Sequence, residues 1–165
     1  REAEFAIGTL YKFFRNKEGL YKALILQLSD RFYAAISGVI EGDAPEIEKL
    51  QTYVRVKGEL FRNNIAAIRL YFEETRGARF RVLAGAEREI RKRHQSVLLS
   101  LAAIFERGMN RKRFRRIAAP FQLALALDSM ANAFLFHWLE DPLGNPYPED
   151  PDTILNILFK GLAGP

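Results

Sequence analysis

The stretch from Phe121 to Leu139 limits the possible folds of this chain more tightly than any other. Phe121, Leu123, Leu125, Leu127, Met130, Ala131, Phe134, Leu135, Phe136, Trp138 and Leu139 fall on nearly every side of the helix they would form. A helix that is apolar all round cannot lie on a domain surface and must be covered on both sides. The last helical stretch has the same character, with Ile154, Leu155, Ile157, Leu158, Phe159 and Leu162. One face of each helix can meet the core of its own chain. The other face is most economically covered by a second copy, since two-fold dimers are the commonest oligomers. Phe121, Leu125, Phe134, Trp138, Ile154 and Leu158 are expected at that contact. The competing reading places both helices at the centre of a larger monomer, with about six helices to wrap them.

The remainder of the chain also reads as helix. Glycine is scarce inside the segments, β-branched runs are absent, and apolar residues recur at spacings of three and four. A short first helix is expected from Ile7 to Phe14. Asn16 reads as the N-cap of a second, running from Lys17 to Val39 and spanning roughly 35 Å. Gly42, Asp43 and Pro45 break it. Further helices are expected over Pro45–Arg62, Ile65–Thr75, Phe80–Arg107 with Gly108 as its cap, Pro120–Leu139 and Asp152–Gly161. The predicted fold class is all-α.

Composition removes several functions. The chain has 165 residues, 48% of them hydrophobic, and no cysteine. That excludes disulfides and thiolate metal sites, and fits a reducing cytoplasm. There are two histidines, His94 and His137, with no HExxH and no glycine-rich phosphate loop. No nucleophile–base pair stands out, so an enzyme is not expected, and no cofactor or metal is implied. The richest apolar stretch, Ile117 to Leu139, is interrupted by Pro120, Gln122, Asp128, Ser129 and Asn132, so no membrane span is expected. The formal net charge of +5 favours an anionic partner.

One short run carries more specific information. "GTLYKFFRNKEGLYKALI", Gly8 to Ile25, combines two glycines, hydroxyl side chains and lysines with an apolar set. Gly8 lets a helix N-terminus approach a phosphate backbone closely. Thr9 and Tyr11 have hydroxyls for phosphate oxygens or base edges, and Lys12 adds charge nearby. Lys17 stands at the start of the next helix, where free backbone N–H groups already favour an anion. Leu10, Phe13 and Phe14 would anchor the short helix on its neighbours.

Through Gly8, Thr9, Leu10, Tyr11, Phe14, Lys17, Glu18 and Leu20, this run resembles the end of the DNA-binding domain of TetR-family transcriptional regulators. The resemblance implies that residues 1–22 are the C-terminal part of a helix-turn-helix domain. Residues 23–165 would then form a ligand-binding and dimerisation domain. It assigns DNA contact to Ile7, Gly8, Thr9, Tyr11, Lys12 and Lys17. Where the family commonly has a polar or basic residue, this chain has Ile7, suited to a thymine methyl group. Ala6 replaces the usual capping Ser or Thr, and Glu4 replaces a turn glycine. Only "REAEFA" precedes the run, so two further helices, roughly 30 residues, are expected upstream.

The resemblance further implies a duplex DNA operator, a homodimer and a small-molecule effector, with repression as the usual mode. Effector binding would move the Lys17–Val39 helix and change the spacing of two recognition helices, which must match one DNA turn of about 34–36 Å. Phe61, Tyr71, His94, Phe105, Met109, Asp128, Asn132 and Phe136 are expected to line the effector pocket. For His94, a satisfied core histidine is the reading preferred over ligand contact. Asp128 and Asn132, one turn apart, either face the pocket or pair across the dimer. The basic run "RKRFRR", Arg111 to Arg116, reads as a solvated turn. The alternative function is a helical binding and dimerisation module that does not touch DNA.

Overall fold

In the computed structural model, residues 14, 16–69 and 84–160 are described. Five helices make up most of them: α1 (Lys17–Glu41), α2 (Glu46–Asn63), α3 (Ala84–Asn110), α4 (Pro120–Glu140) and α5 (Asp152–Phe159). A further helical turn occupies 65–69, and there is no strand among the described residues. Helix α3 packs against α4 and α1, α2 closes over the first three, and α5 lies against α4 and α2.

Local signals set most of the helix ends. Asn16 is extended, and its side-chain oxygen accepts the Gly19 N–H at 2.8 Å, the N-cap bond expected of it. Helix α1 has 25 residues, so it runs about 37 Å, and the expected boundary between residues 22 and 23 falls inside it. Its C-terminal end is tied down by a buried lysine: Lys49 donates to the Ile40 carbonyl at 2.8 Å. A last-turn carbonyl with no helical partner is thereby satisfied. By length and composition alone the Lys22–Glu41 stretch could cross a membrane. Asp30 and Arg31 lie at its middle, and Ile25, Ile36 and Ile40 are buried against the other helices.

The end of α3 corrects the expectation for Gly108. The helix continues to Asn110, and the left-handed capping residue is Lys112, at φ 58°. The Arg113 N–H reaches back to the Gly108 carbonyl at 2.8 Å and the Lys112 N–H to that of Met109 at 3.0 Å, the paired bonds of a Schellman cap. Gly108 is small for another reason: a Cβ there would stand 2.2 Å from the Phe114 ring. That ring packs against Phe105 and Phe159 at centroid distances of 5.9 and 5.3 Å. A lysine in the left-handed region is disfavoured by roughly 1 kcal/mol. Lys112→Gly is therefore expected to raise stability by about 0.5–1 kcal/mol, after the looser unfolded chain is discounted. A urea titration reads this directly, and a loss of stability would mean that the lysine side chain holds the cap.

The basic run is more than a solvated turn. Arg111 and Arg113 donate to the two carboxylate oxygens of Glu46, at 2.7 and 2.9 Å. Glu46 is buried at the first turn of α2, where the helix dipole also favours an anion. A hydrogen bond from its own backbone and the two guanidinium charges hold its carboxyl below the usual carboxylate range, against the opposing effect of burial.

The core is drawn from all five helices, centred on Ile36, Leu50, Tyr53, Leu101, Ile104, Phe105, Leu127, Leu135 and Ile154. Tyr147, from the proline-rich connection, joins it. Its hydroxyl donates to the Val54 carbonyl at 3.2 Å, and a Cβ on Gly58 would stand 2.5 Å from its ring. Burial pushes the Tyr147 phenol up to about 12.

The two apolar helices divide their faces between inside and outside. Leu123, Leu127, Leu135 and Trp138 of α4 and Ile154 and Leu155 of α5 are buried in their own chain. Trp138 and Ile154, expected at a dimer contact, are therefore corrected to core residues. Phe134 and Leu158 are half-buried against the core. Phe121 and Leu125, one turn apart on α4, stay 41% and 45% exposed, and Ile157 of α5 is exposed as well.

Candidate ligand cavity

A cavity of about 410 Å³ lies between α1, α2, α3, α4 and the turn at 65–69. Each helix contributes a stripe at helical spacing. Helix α1 supplies Ile25, Leu28, Ser29, Phe32 and Tyr33, and α2 supplies Lys57, Leu60 and Phe61. Ile68 closes one side. Ile90, Arg91 and His94 come from α3, and Asn132 and Phe136 from α4. The spacings of three and four are those that put side chains on one helix face. Phe32 sets its edge against Tyr33 and Phe61, at centroid distances of 5.3 and 6.2 Å. The Tyr33 hydroxyl reaches the Ile90 carbonyl at 3.4 Å, joining α1 to α3 across the cavity wall.

Behind this apolar lining sits one ionic network. Asp128 of α4 is 2% exposed and Lys57 of α2 is 4% exposed, and the two form a salt bridge. Tyr53, one turn before Lys57, donates its hydroxyl to the same Asp128 oxygen, Oδ1. Lys57 also donates to the Tyr53 hydroxyl at 3.2 Å. The other oxygen, Oδ2, accepts from Asn132 Nδ2 at 3.0 Å and lies 2.8 Å from His94 Nε2. A carboxylate can only accept here, so the geometry assigns the His94 tautomer that carries its proton on Nε2. Asp128 thus meets donors from three helices, as a buried charge must.

Burial alone would raise the Asp128 pKa. The His94 hydrogen bond, the Lys57 charge and the further bonds from Lys57 and Tyr53 outweigh it and hold the carboxyl far below the usual range. Burial, reinforced by the Asp128 charge, pushes the Tyr53 phenol well above its ordinary value. Burial lowers the Lys57 pKa, with Asp128 opposing.

A carboxyl depressed in the folded state adds stability that is complete above its unfolded pKa, about 4, and is lost as pH falls from there toward the folded value. Glu46 acts in the same direction. The unfolding free energy is therefore expected to decline below about pH 4, and Asp128→Asn to make that decline shallower. Urea titrations from about pH 5 to about pH 2 read both slopes. Equal slopes in the two proteins would mean that Asp128 is not an ionised member of the network.

Of the residues expected to line a pocket, Phe61, His94, Asn132 and Phe136 do so. Asp128 stands directly behind them. Its burial and its partners on α2 and α3 take it out of reach of a second copy. His94 combines both readings, being hydrogen-bonded inward while its side chain remains 41% exposed. Phe105 and Met109 are corrected to core: both are buried in the core cluster, and neither lines the cavity. Tyr71 lies outside the described residues, as do Ile7, Gly8, Thr9, Tyr11 and Lys12. Lys17 opens α1, and its side chain lies outside the described part.

Sequence reasoning does not find Ser29, Tyr33, Lys57 or Tyr53. Lys57 does leave a signal, since it interrupts the apolar stripe Leu50, Tyr53, Val54, Leu60, Phe61. Among the described residues no group of three or more His, Asp or Glu side chains could hold a metal ion.

No protein-family model matches this sequence, and no curated protein matches it. Solved structures do. A TetR-family transcriptional regulator, PfmR, from Thermus thermophilus superposes with a TM-score of 0.68 at 20% identity, over 95% of this chain and 82% of that one. A protein of Clostridium perfringens, named as a fatty acid metabolism regulator, superposes with a TM-score of 0.71 at 19% identity, over 96% and 83%. The all-α fold read from the sequence is therefore that of the TetR-family regulator it superposes on, a likeness of fold alone at this identity.

Proposed function

We propose that this chain is a ligand-responsive, DNA-binding transcriptional regulator that works as a homodimer. Its effector is a small apolar or amphipathic molecule held in the cavity, and its binding releases the protein from an operator. The observation that carries this reading is the position of α1. The helix starts at Lys17, directly after the Gly8–Asn16 run, and five of its residues between 25 and 33 wall the cavity. A molecule that pushes Phe32 or Leu28 therefore pushes the rod on which the DNA-reading run is mounted. Because α1 is one unbroken helix, a small tilt at its middle is delivered to its N-terminus. Two recognition helices must sit about 34–36 Å apart to enter successive major grooves, so a shift of a few ångströms costs affinity.

Ile7, Gly8, Thr9, Tyr11, Lys12 and Lys17 are the DNA-contacting set in this reading, and Phe121, Leu125 and Ile157 lie on the dimer face. No step of it requires catalysis. A salt titration tests it. The full-length protein, bound to a duplex selected from a random library, is expected to lose about 10³-fold or more in affinity between roughly 50 and 200 mM salt. A protein that retains no duplex even at the low end of that range, yet binds small molecules, would be the binding module without DNA.

A further inference from the structure

We propose that the cavity takes an apolar monocarboxylate, with its carboxylate against Lys57 and Asn132 and its tail along the α1 and α2 walls. In calling that molecule an effector the inference rests on the regulator reading; the binding itself does not.

Hydrogen-bond donors are left over at the cavity wall. An ammonium group has three N–H donors. Lys57 directs two of them to Asp128 and Tyr53. The Asn132 amide has two N–H donors and gives one to Asp128. Ser29 also lines the cavity, and its buried Oγ has no hydrogen-bond partner. Asp128 itself accepts from Tyr53, Lys57, His94 and Asn132, which fills the roughly four acceptor positions of a carboxylate. What remains for a ligand is thus mostly donors, and a donor-rich wall calls for an acceptor-rich head.

Charge narrows the class. Lys57 and Asn132 line the cavity while Asp128 stands behind them, so the pair presents its positive end to the ligand. A low-dielectric wall makes that orientation count. Lys57 is already shared with Asp128, and Arg91, the other cation of the lining, has an interaction of its own, so the site favours a monoanion over a dianion. A carboxylate also offers two coplanar oxygens, enough to accept from Lys57 and Asn132 together. Ile25, Leu28, Phe32, Leu60 and Ile68 give the wall an apolar stretch that suits a tail, beside the polar Tyr33 and Arg91. At about 30 Å³ per water-sized unit, 410 Å³ holds roughly a dozen heavy atoms.

Decanoate fits that size and is the probe. It is titrated into the full-length protein by calorimetry, below its micelle concentration, beside methyl decanoate and decylamine. Decanoate is expected to bind at least about tenfold more tightly than the methyl ester, the usual worth of a hydrogen bond to a charged group. Decylamine is expected to be weaker still. Lys57→Met alone could unfold the chain, so it is combined with Asp128→Asn, which leaves no unpaired buried charge. That double variant is expected to lose the preference for decanoate over its ester. Asn132→Leu keeps the ion pair and is expected to weaken decanoate alone, severalfold. Equal binding of decanoate and its ester, or an unchanged preference in the double variant, overturns the proposal whatever the DNA assay shows. A failed salt titration overturns the regulator reading and leaves these affinities as they are.

Discussion

Replacing Asp128 with alanine is expected to cost about 3–5 kcal/mol of folding stability at neutral pH. The size follows from what the carboxylate holds. Its loss strands Lys57 as an unpaired charge that is 4% exposed, and removes the acceptor used by Tyr53, His94 and Asn132. An uncompensated buried charge is among the few single changes that exceed about 3 kcal/mol. Lys57→Met is expected to cost less, because the Asp128 carboxylate keeps three donors. Combining Lys57→Met with Asp128→Asn is expected to cost less than the sum of the two single changes, since neither stranded charge survives. Urea unfolding of the wild type, Lys57→Met, Asp128→Asn and their double variant closes a double-mutant cycle, with Asp128→Ala measured beside it. A cost under about 1 kcal/mol for Asp128→Ala, or strict additivity in the cycle, would show that the ion pair does not form.

The second large effect is on assembly. Changing both Phe121 and Leu125 to aspartate is expected to give a folded monomer and to weaken DNA binding at least about 10²-fold. The side chains are 41% and 45% exposed within one chain, so the substitutions remove little of its own core. Across a dimer they would set carboxylates from both copies against an apolar face, where each pays its desolvation without a partner. A half-site bound alone forfeits the effective concentration that a second linked half-site supplies. Sedimentation velocity reads the assembly and a duplex titration reads the affinity. Leu99→Asp is the control: Leu99 is exposed on α3, off the α4–α5 face, and its replacement is expected to leave the dimer intact. Wild-type protein that sediments as a monomer at micromolar concentration would remove the basis for this prediction.

The residues behind these two predictions are legible in the sequence to different degrees. Asp128 is conspicuous, because a carboxylate on the greasiest helix of the chain needs a partner. The partner is not identifiable. Lys57 lies 71 residues away, and nothing local distinguishes it from the other lysines except its place in an apolar stripe. Phe105 and Met109 are misplaced by sequence reasoning for a related cause. Periodicity turns them inward but does not say whether inward means a packed core or an open cavity. In the structure Phe114 and Phe159 pack against Phe105, and the cavity opens further up α3, around Ile90 and His94.

The sequence by itself determined the described helices, the Asn16 cap, the break at Gly42–Pro45, the start at Pro120 and the apolar character of α4 on all sides. These are properties of one turn or one face, set by propensity, capping and the helical period. Tertiary structure alone decided which face of α4 is core, which residues open onto the cavity, and that Arg111 and Arg113 clamp Glu46. It also decided that Lys112, in place of Gly108, turns the chain after α3. Each of these depends on which helix lies opposite and how closely, and helical period carries no information about the neighbour.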